Sequence, residues 1–232
     1  MFLTGIIGFL LGCLVPAIAS RFGKILPADP GLILVQMWHK PVLTKSKNPK
    51  RNQQLKKMWQ KFIVVSLLWG AFNALCFIAN GIIFQGGAFF VGCAFVYMVS
   101  LLMSVDKMYY LLPDFFTIPL LVLGFTFVYC FKTPITMEEA LIGAWYGYFV
   151  SVVSVVVMSF FKTAEFGAGD AKMLTALGAW LGLVGLSIVI VLSFVFFSIE
   201  ALILKRRSGA FGPALGSAAL IVFYLLFSSG HL

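Results

Sequence analysis

The chain has 232 residues, of which 61% are hydrophobic and 11% charged, with a net charge of +9. Together with a mean hydropathy of +1.03, this excludes a soluble globular domain and points to a polytopic membrane protein. The basic excess raises nucleic acid as a partner, but ten of the 17 Lys and Arg lie between Arg21 and Lys61 and the rest sit at the ends of apolar segments, so the charge sets topology and no nucleic acid is expected.

Residues 1–19 form the first apolar segment, about long enough to span a bilayer. It lacks the basic leading region of a signal peptide, and basic residues follow it instead, so a retained first transmembrane helix is expected. Residues 20–61 form a basic loop. Its Pro27, Pro30, Pro41 and Pro49 exclude one long helix, although Gln53 to Lys61 is expected to extend the helix that follows.

Residues 62–232 read as one membrane domain. Its apolar spans run Phe62–Ala79, Ala88–Val105, Asp114–Phe131, Glu139–Phe161, Lys172–Leu183, Leu186–Leu204 and Pro213–Phe227. Met173 to Leu204 exceeds a normal span, which places a turn near Gly182-Leu183-Val184-Gly185. With the first helix this makes eight. Loops 20–61, 106–113, 162–172 and 205–212 then fall on one side and carry sixteen Lys and Arg, against Lys132 alone on the other. Positive charge stays inside, so those loops are cytoplasmic. The fold class expected is all-α, with about eight transmembrane helices and both termini periplasmic.

Cys13, Cys76, Cys93 and Cys130 stand singly in apolar runs with no C-x-x-C pair, so buried, inert packing is expected for all four, with neither a disulfide framework nor a metal site. His39 and His231 stand alone. Phe89, Phe90, Phe95 and Tyr97 read as lipid- or core-facing packing. The basic loop reads as topology-setting charge that contacts anionic membrane lipid.

The eight acidic residues can be sorted by position. Asp29, Glu138 and Glu139 are expected to be solvated, and Glu200 to pair with Lys205-Arg206-Arg207 one turn later. Glu165 and Asp114 border the cytoplasmic face. Asp106 and Asp170 remain, each at the cytoplasmic end of an apolar span, and an acid there is costly without a role. Asp170 directly follows Gly167-Ala168-Gly169. Glycines at that boundary allow close approach of a substrate backbone and any left-handed dihedral angles that a recess requires. Sixty-four residues separate the two aspartates, enough for one helix out and another back, which returns both to the same face. Two carboxylates in hydrogen-bond reach share a proton, so one can activate water while the other donates to a substrate carbonyl. Serine, cysteine and metal hydrolase motifs are missing: no G-x-S-x-G, no Cys paired with His, no H-E-x-x-H.

Phe166-Gly-Ala-Gly-Asp170-Ala-Lys-Met resembles the second signature of the type IV prepilin peptidases, membrane aspartic proteases of the GxGD class. Asp106-Lys-Met-Tyr-Tyr-Leu-Leu-Pro-Asp114, with Thr117-Ile-Pro-Leu120 after it, resembles the first, and Phe211-Gly-Pro213 the C-terminal pattern. The resemblance covers Val105 to the C-terminus. It implies Asp106 and Asp170 as the catalytic pair, Asp114 as a cap or positioning acid, and Gly167, Gly169 and Lys172 as further positioning elements. It also implies a prepilin or secretion pseudopilin as substrate and partner, cut at the cytoplasmic face of a bacterial inner membrane. Family members often methylate the new N-terminus with S-adenosylmethionine, the one cofactor implied if that second activity is kept; the peptidase needs none.

The N-terminal part departs from the family. Gly12 to Arg21 (GCLVPAIASR) only loosely resembles the G-S-F-L-N-V-V-I-x-R entry sequence. The first loop lacks the two C-x-x-C pairs of larger members. Two alternatives carry weight at this level. One is an archaeal-type preflagellin peptidase, which the L-P-D and F-G-P elements disfavour. The other, of a different class, is a proton-coupled transporter with paired membrane carboxylates; it expects mid-membrane acids and inverted repeats, and neither is visible.

Overall fold

A computed structural model of the chain describes residues 2–22, 49–161, 168–205 and 209–229. Seven helices make up their regular structure: α1 (Phe2–Phe22), α2 (Pro49–Ile83), α3 (Gly87–Tyr109), α4 (Asp114–Cys130), α5 (Met137–Phe161), α6 (Ala168–Leu204) and α7 (Gly212–Ser229). Chains this apolar have little choice, because in lipid only a helix or a closed barrel satisfies every backbone amide. Five of these helices are long and apolar enough to cross a membrane, while α4 and α7 are apolar but shorter. The architecture is thus all-helical and of the polytopic membrane type.

Helix ends follow local chemistry. Pro49 opens α2, where its missing N–H costs nothing, and the helix takes in Gln53 to Lys61 as the sequence suggests. The start of α5 is a capping box: the Glu139 N–H donates to Thr136 Oγ1 at 3.2 Å, and the Thr136 N–H donates to Glu139 Oε2 at 2.7 Å. Glu139, expected to be merely solvated, therefore holds a helix terminus. Most of the basic loop, residues 23–48, lies outside the described residues.

Two compact units divide the chain, Met1–Ala79 and Asn80–Leu232. In the first, α1 and the second half of α2 meet closely at small residues: a β-carbon on Gly70 would lie 2.6 Å from Cys13 Sγ. Such seams give helices in lipid the close contact that the hydrophobic effect cannot supply there. Asn73, fully buried, donates its amide to the Trp69 carbonyl at 3.0 Å.

The second unit is built around Trp180 of α6, which is fully buried and donates its indole N–H to the Leu120 carbonyl of α4 at 2.8 Å. Phe95 of α3, Phe127 of α4 and Phe223 of α7 surround it at 4.5, 5.1 and 6.1 Å between ring centroids. One aromatic cluster thus joins four helices. Of the aromatic stripe in α3, Phe95 belongs to this core, whereas Phe90 is exposed. The cysteines also divide: Cys76 and Cys93 are buried, Cys13 is half-buried and Cys130 is exposed. The expectation of four buried thiols fails at Cys130, because an apolar run does not distinguish a lipid-facing position from a core one.

The turn expected within residues 182–185 occurs at Gly182 alone, whose φ of 66° and ψ of −176° interrupt α6. A residue with a β-carbon is disfavoured there. Helix α5 records what the break does. Gly143 lies against Gly178 and Gly182, while Gly147, one turn further on, lies against both Leu174 and Leu186. Both halves of α6 therefore leave Gly182 in the same direction along α5. A straight helix would hold Leu174 and Leu186 about 18 Å apart. So α6 is a hairpin, and its two tips return to one end of the unit.

Candidate active site

The site is assembled from three contacts between segments distant in sequence. The first involves Asp106, in the last turn of α3. Helix α3 stops at Tyr110, which takes the left-handed conformation (φ 56°) and donates its N–H to the Asp106 carbonyl at 2.8 Å. The Asp106 side chain is 5% exposed and accepts the backbone N–H of Gly212 at 2.7 Å. Gly212 begins α7, so the carboxylate faces the positive end of that helix. Pro213 has no N–H, which leaves the Gly212 amide as the donor in position. A β-carbon on Gly212 would sit 2.6 Å from Asp106 Oδ2, so this approach requires glycine.

The second contact joins the two signature segments. Gly169, in the first turn of α6, lies so close to Leu112 that an added β-carbon would meet the Leu112 β-carbon at 2.7 Å. Its role is close approach. The positive-φ glycines among the described residues are Gly86 and Gly182, so the left-handed geometry considered for Gly169 is not adopted. Asp170 follows, half-buried in the same turn of α6. Gly167 lies outside the described residues.

The third contact is an ion pair. Lys172 Nζ donates to both carboxylate oxygens of Asp114, at 2.6 and 2.7 Å. Asp114 is the first residue of α4 and Lys172 lies in the second turn of α6, so the pair ties these two helix starts together. Both side chains are about half exposed.

Asp106, Leu112, Asp114, Gly169, Lys172 and Gly212 are thus linked at one end of the second unit, with Asp170 one residue from Gly169. Gly212 and Leu112 were not singled out by sequence reasoning, although both lie inside the F-G-P and L-P-D strings. Glu200, expected to pair with the basic residues after α6, makes no ion pair with Lys205; Arg206 and Arg207 lie outside the described residues. Among the described residues no group of three or more His, Cys, Asp or Glu is placed to hold a metal ion.

Residues 93–202 match the family model described as the type IV leader peptidase family. The match covers a little under half of the chain. It contains Asp106, Asp114, Gly169, Asp170 and Lys172, while the Gly212 contact comes from just beyond it. Curated relatives agree. The prepilin leader peptidase/N-methyltransferase of Neisseria gonorrhoeae is 33% identical over 132 residues, covering 55% of this chain and 45% of the relative. The proteins of the same name from Klebsiella pneumoniae and Xanthomonas campestris pv. campestris are 36% and 35% identical, over 48% and 60% of this chain and 49% of each relative. The chain spans about half the length of the curated relatives it matches. No solved structure matches it.

Proposed function

We propose that this chain is a membrane aspartic endopeptidase that removes the leader peptide of type IV prepilins or pseudopilins at the cytoplasmic face of a bacterial inner membrane. Asp106 and Asp170 are its catalytic pair. The observation that carries the reading is the joining of the family's two signature segments at one end of the helical unit. Gly169 is seated on Leu112, Lys172 is bound to Asp114, and the Asp106 carboxylate is fixed by the Gly212 amide.

In the proposed reaction, one carboxylate removes a proton from water as its oxygen attacks the scissile carbonyl carbon, and the other donates a proton to the carbonyl oxygen. The tetrahedral intermediate collapses, the C–N bond breaks, and a proton passes to the leaving amine. Burial of Asp106 and its backbone hydrogen bond favour a fixed carboxylate, and pre-orientation is a large part of what such a site contributes.

The remaining parts of the proposal follow from charge and composition. Residues 62–232 form the protease domain, 1–19 the first transmembrane helix, and 20–61 a basic cytoplasmic loop against anionic lipid. The hairpin in α6 supports eight membrane crossings with both termini periplasmic. The relatives' names also include N-methyltransferase activity. Methylation of the new N-terminus, with S-adenosylmethionine as donor, is the second reaction we propose to test. Co-expression with candidate prepilins, then mass spectrometry of the mature N-terminus, reads both at once. Cleavage at the leader junction is expected, and uncleaved prepilin beside a folded, membrane-inserted enzyme would reject the peptidase reading.

A further inference from the structure

Beside Asp106 lies a cavity of about 330 Å³, lined by Lys107, Tyr110, Phe197, Glu200, Leu204 and Pro213 among others. Its walls come from the end of α3, the second tip of the α6 hairpin and the start of α7. Two of its residues, Lys107 and Pro213, directly adjoin Asp106 and Gly212, the partners of the buried hydrogen bond. The cavity therefore borders the last turn of α3, which carries Asp106, and the first turn of α7.

The acids at this end have different circumstances. Asp114 is neutralised by Lys172, and Asp106 is occupied by the Gly212 amide. Glu200 is partly withdrawn from solvent and, among the described residues, has no ion pair. A carboxylate in that position leaves favourable charge-assisted bonds unmade. Lys107 lines the same cavity but is exposed, so water and salt screen its charge more than that of Glu200. Phe197 and Leu204 add apolar wall suited to an alkyl stem, the arrangement that a long side chain with a charged tip requires.

We infer that this cavity receives a basic side chain of the polypeptide being cut, and that Glu200 selects it. The inference rests on the peptidase reading above and adds a specificity residue to it. It holds the substrate through one side chain next to the scissile bond and takes no part in proton transfer.

The test uses purified full-length enzyme and one prepilin in which each residue flanking the scissile bond is replaced in turn by Lys or by Gln. Wild-type enzyme is expected to favour Lys over Gln at one position by about tenfold or more in kcat/KM, the scale of one charge-assisted contact. Glu200→Gln should bring that ratio to about one while cleaving the Gln substrate at the wild-type rate, and Glu200→Asp should keep a preference. Each ratio is internal to one enzyme, so differences in expression or folding cancel. An unchanged Lys preference in Glu200→Gln overturns the inference. So does equal loss on both substrates, or a wild-type enzyme that cleaves without any preference. Wild-type enzyme that cleaves no member of the panel rejects the peptidase reading itself, and Glu200 falls with it.

Discussion

Asp114 and Lys172, 58 residues apart in sequence, hold each other through both carboxylate oxygens at 2.6 and 2.7 Å. Each is about half exposed, and pairs of that kind contribute no more than about 1 kcal/mol to stability. Its value lies in geometry, since Lys172 is two residues from Asp170 on the same helix. Lys172→Ala should leave thermal unfolding nearly unchanged yet lower prepilin cleavage by about tenfold or more. Asp114→Ala should match it, and the double substitution should cost little more than either alone. Cleavage rates and melting curves on the same preparations check this; a large fall in melting temperature with normal cleavage would reverse the assignment.

The proposed catalytic pair, Asp106 and Asp170, gives a second expectation. Asp106→Asn and Asp170→Asn should each lower processing by on the order of 10³-fold or more, in protein that still folds and inserts. The double variant should be no worse than the singles, because residues that act as a unit are not additive. Near-normal processing by either properly folded single variant would sink the pair.

Gly212→Ala probes the backbone donor. Elsewhere near a helix start, Ala in place of Gly is neutral or mildly stabilising. Here the new methyl group would enter at 2.6 Å from Asp106 Oδ2, so carboxylate or helix must shift, at a cost of about 1–3 kcal/mol. The expected result is a fall in kcat with little change in KM. Single-turnover cleavage separates the two, and unchanged kcat would mean that the Asp106–Gly212 contact is dispensable.

Gly169 faces the β-carbon of Leu112, so size alone ranks its substitutions. Gly169→Ala should already impair cleavage, and Gly169→Val should abolish it. If the valine variant cleaves prepilin normally in membranes, the contact between α6 and the segment before α4 does not position the site.

The hairpin in α6 gives a test of the topology. Val184 lines one cavity with Pro134 and Ile135, so Cys introduced at Val184 and at Thr133 should face the same side of the membrane. In a variant freed of native cysteines, both should react with an impermeant thiol reagent in intact cells. Cys at Ser46, outside the described residues, should be shielded. The reverse pattern would put the aspartates outside the cell.

Much of this was legible in the sequence, and the parts that were not share a physical reason. Span positions follow from hydropathy, and the turn at Gly182 from an apolar run too long to cross once. Asp106 and Asp170 are acids that an apolar chain keeps only at a cost, so their position singles them out, whereas Asp114 and Lys172 were marked by the family resemblance alone. Gly212 acts through its backbone N–H across 106 residues, and an amide carries no residue-specific signal. Cys130 was misjudged because lipid and protein core select the same apolar neighbours, so periodicity that marks an inner face in water is lost.

The bend at Gly182 also makes α6 a pair of arms sharing one pivot, with Lys172 near one tip and Glu200 near the other. Each arm is a rigid ruler: one inserted residue slides its tip by about 1.5 Å and swings it by about 100°. Length changes in the connections at the far end leave both tips in place, whereas a single added or lost residue in either arm would turn an acid away from its cleft. The spacings from Asp170 to Gly182 and from Gly182 to Glu200 are therefore as much a part of the proposed site as the side chains themselves.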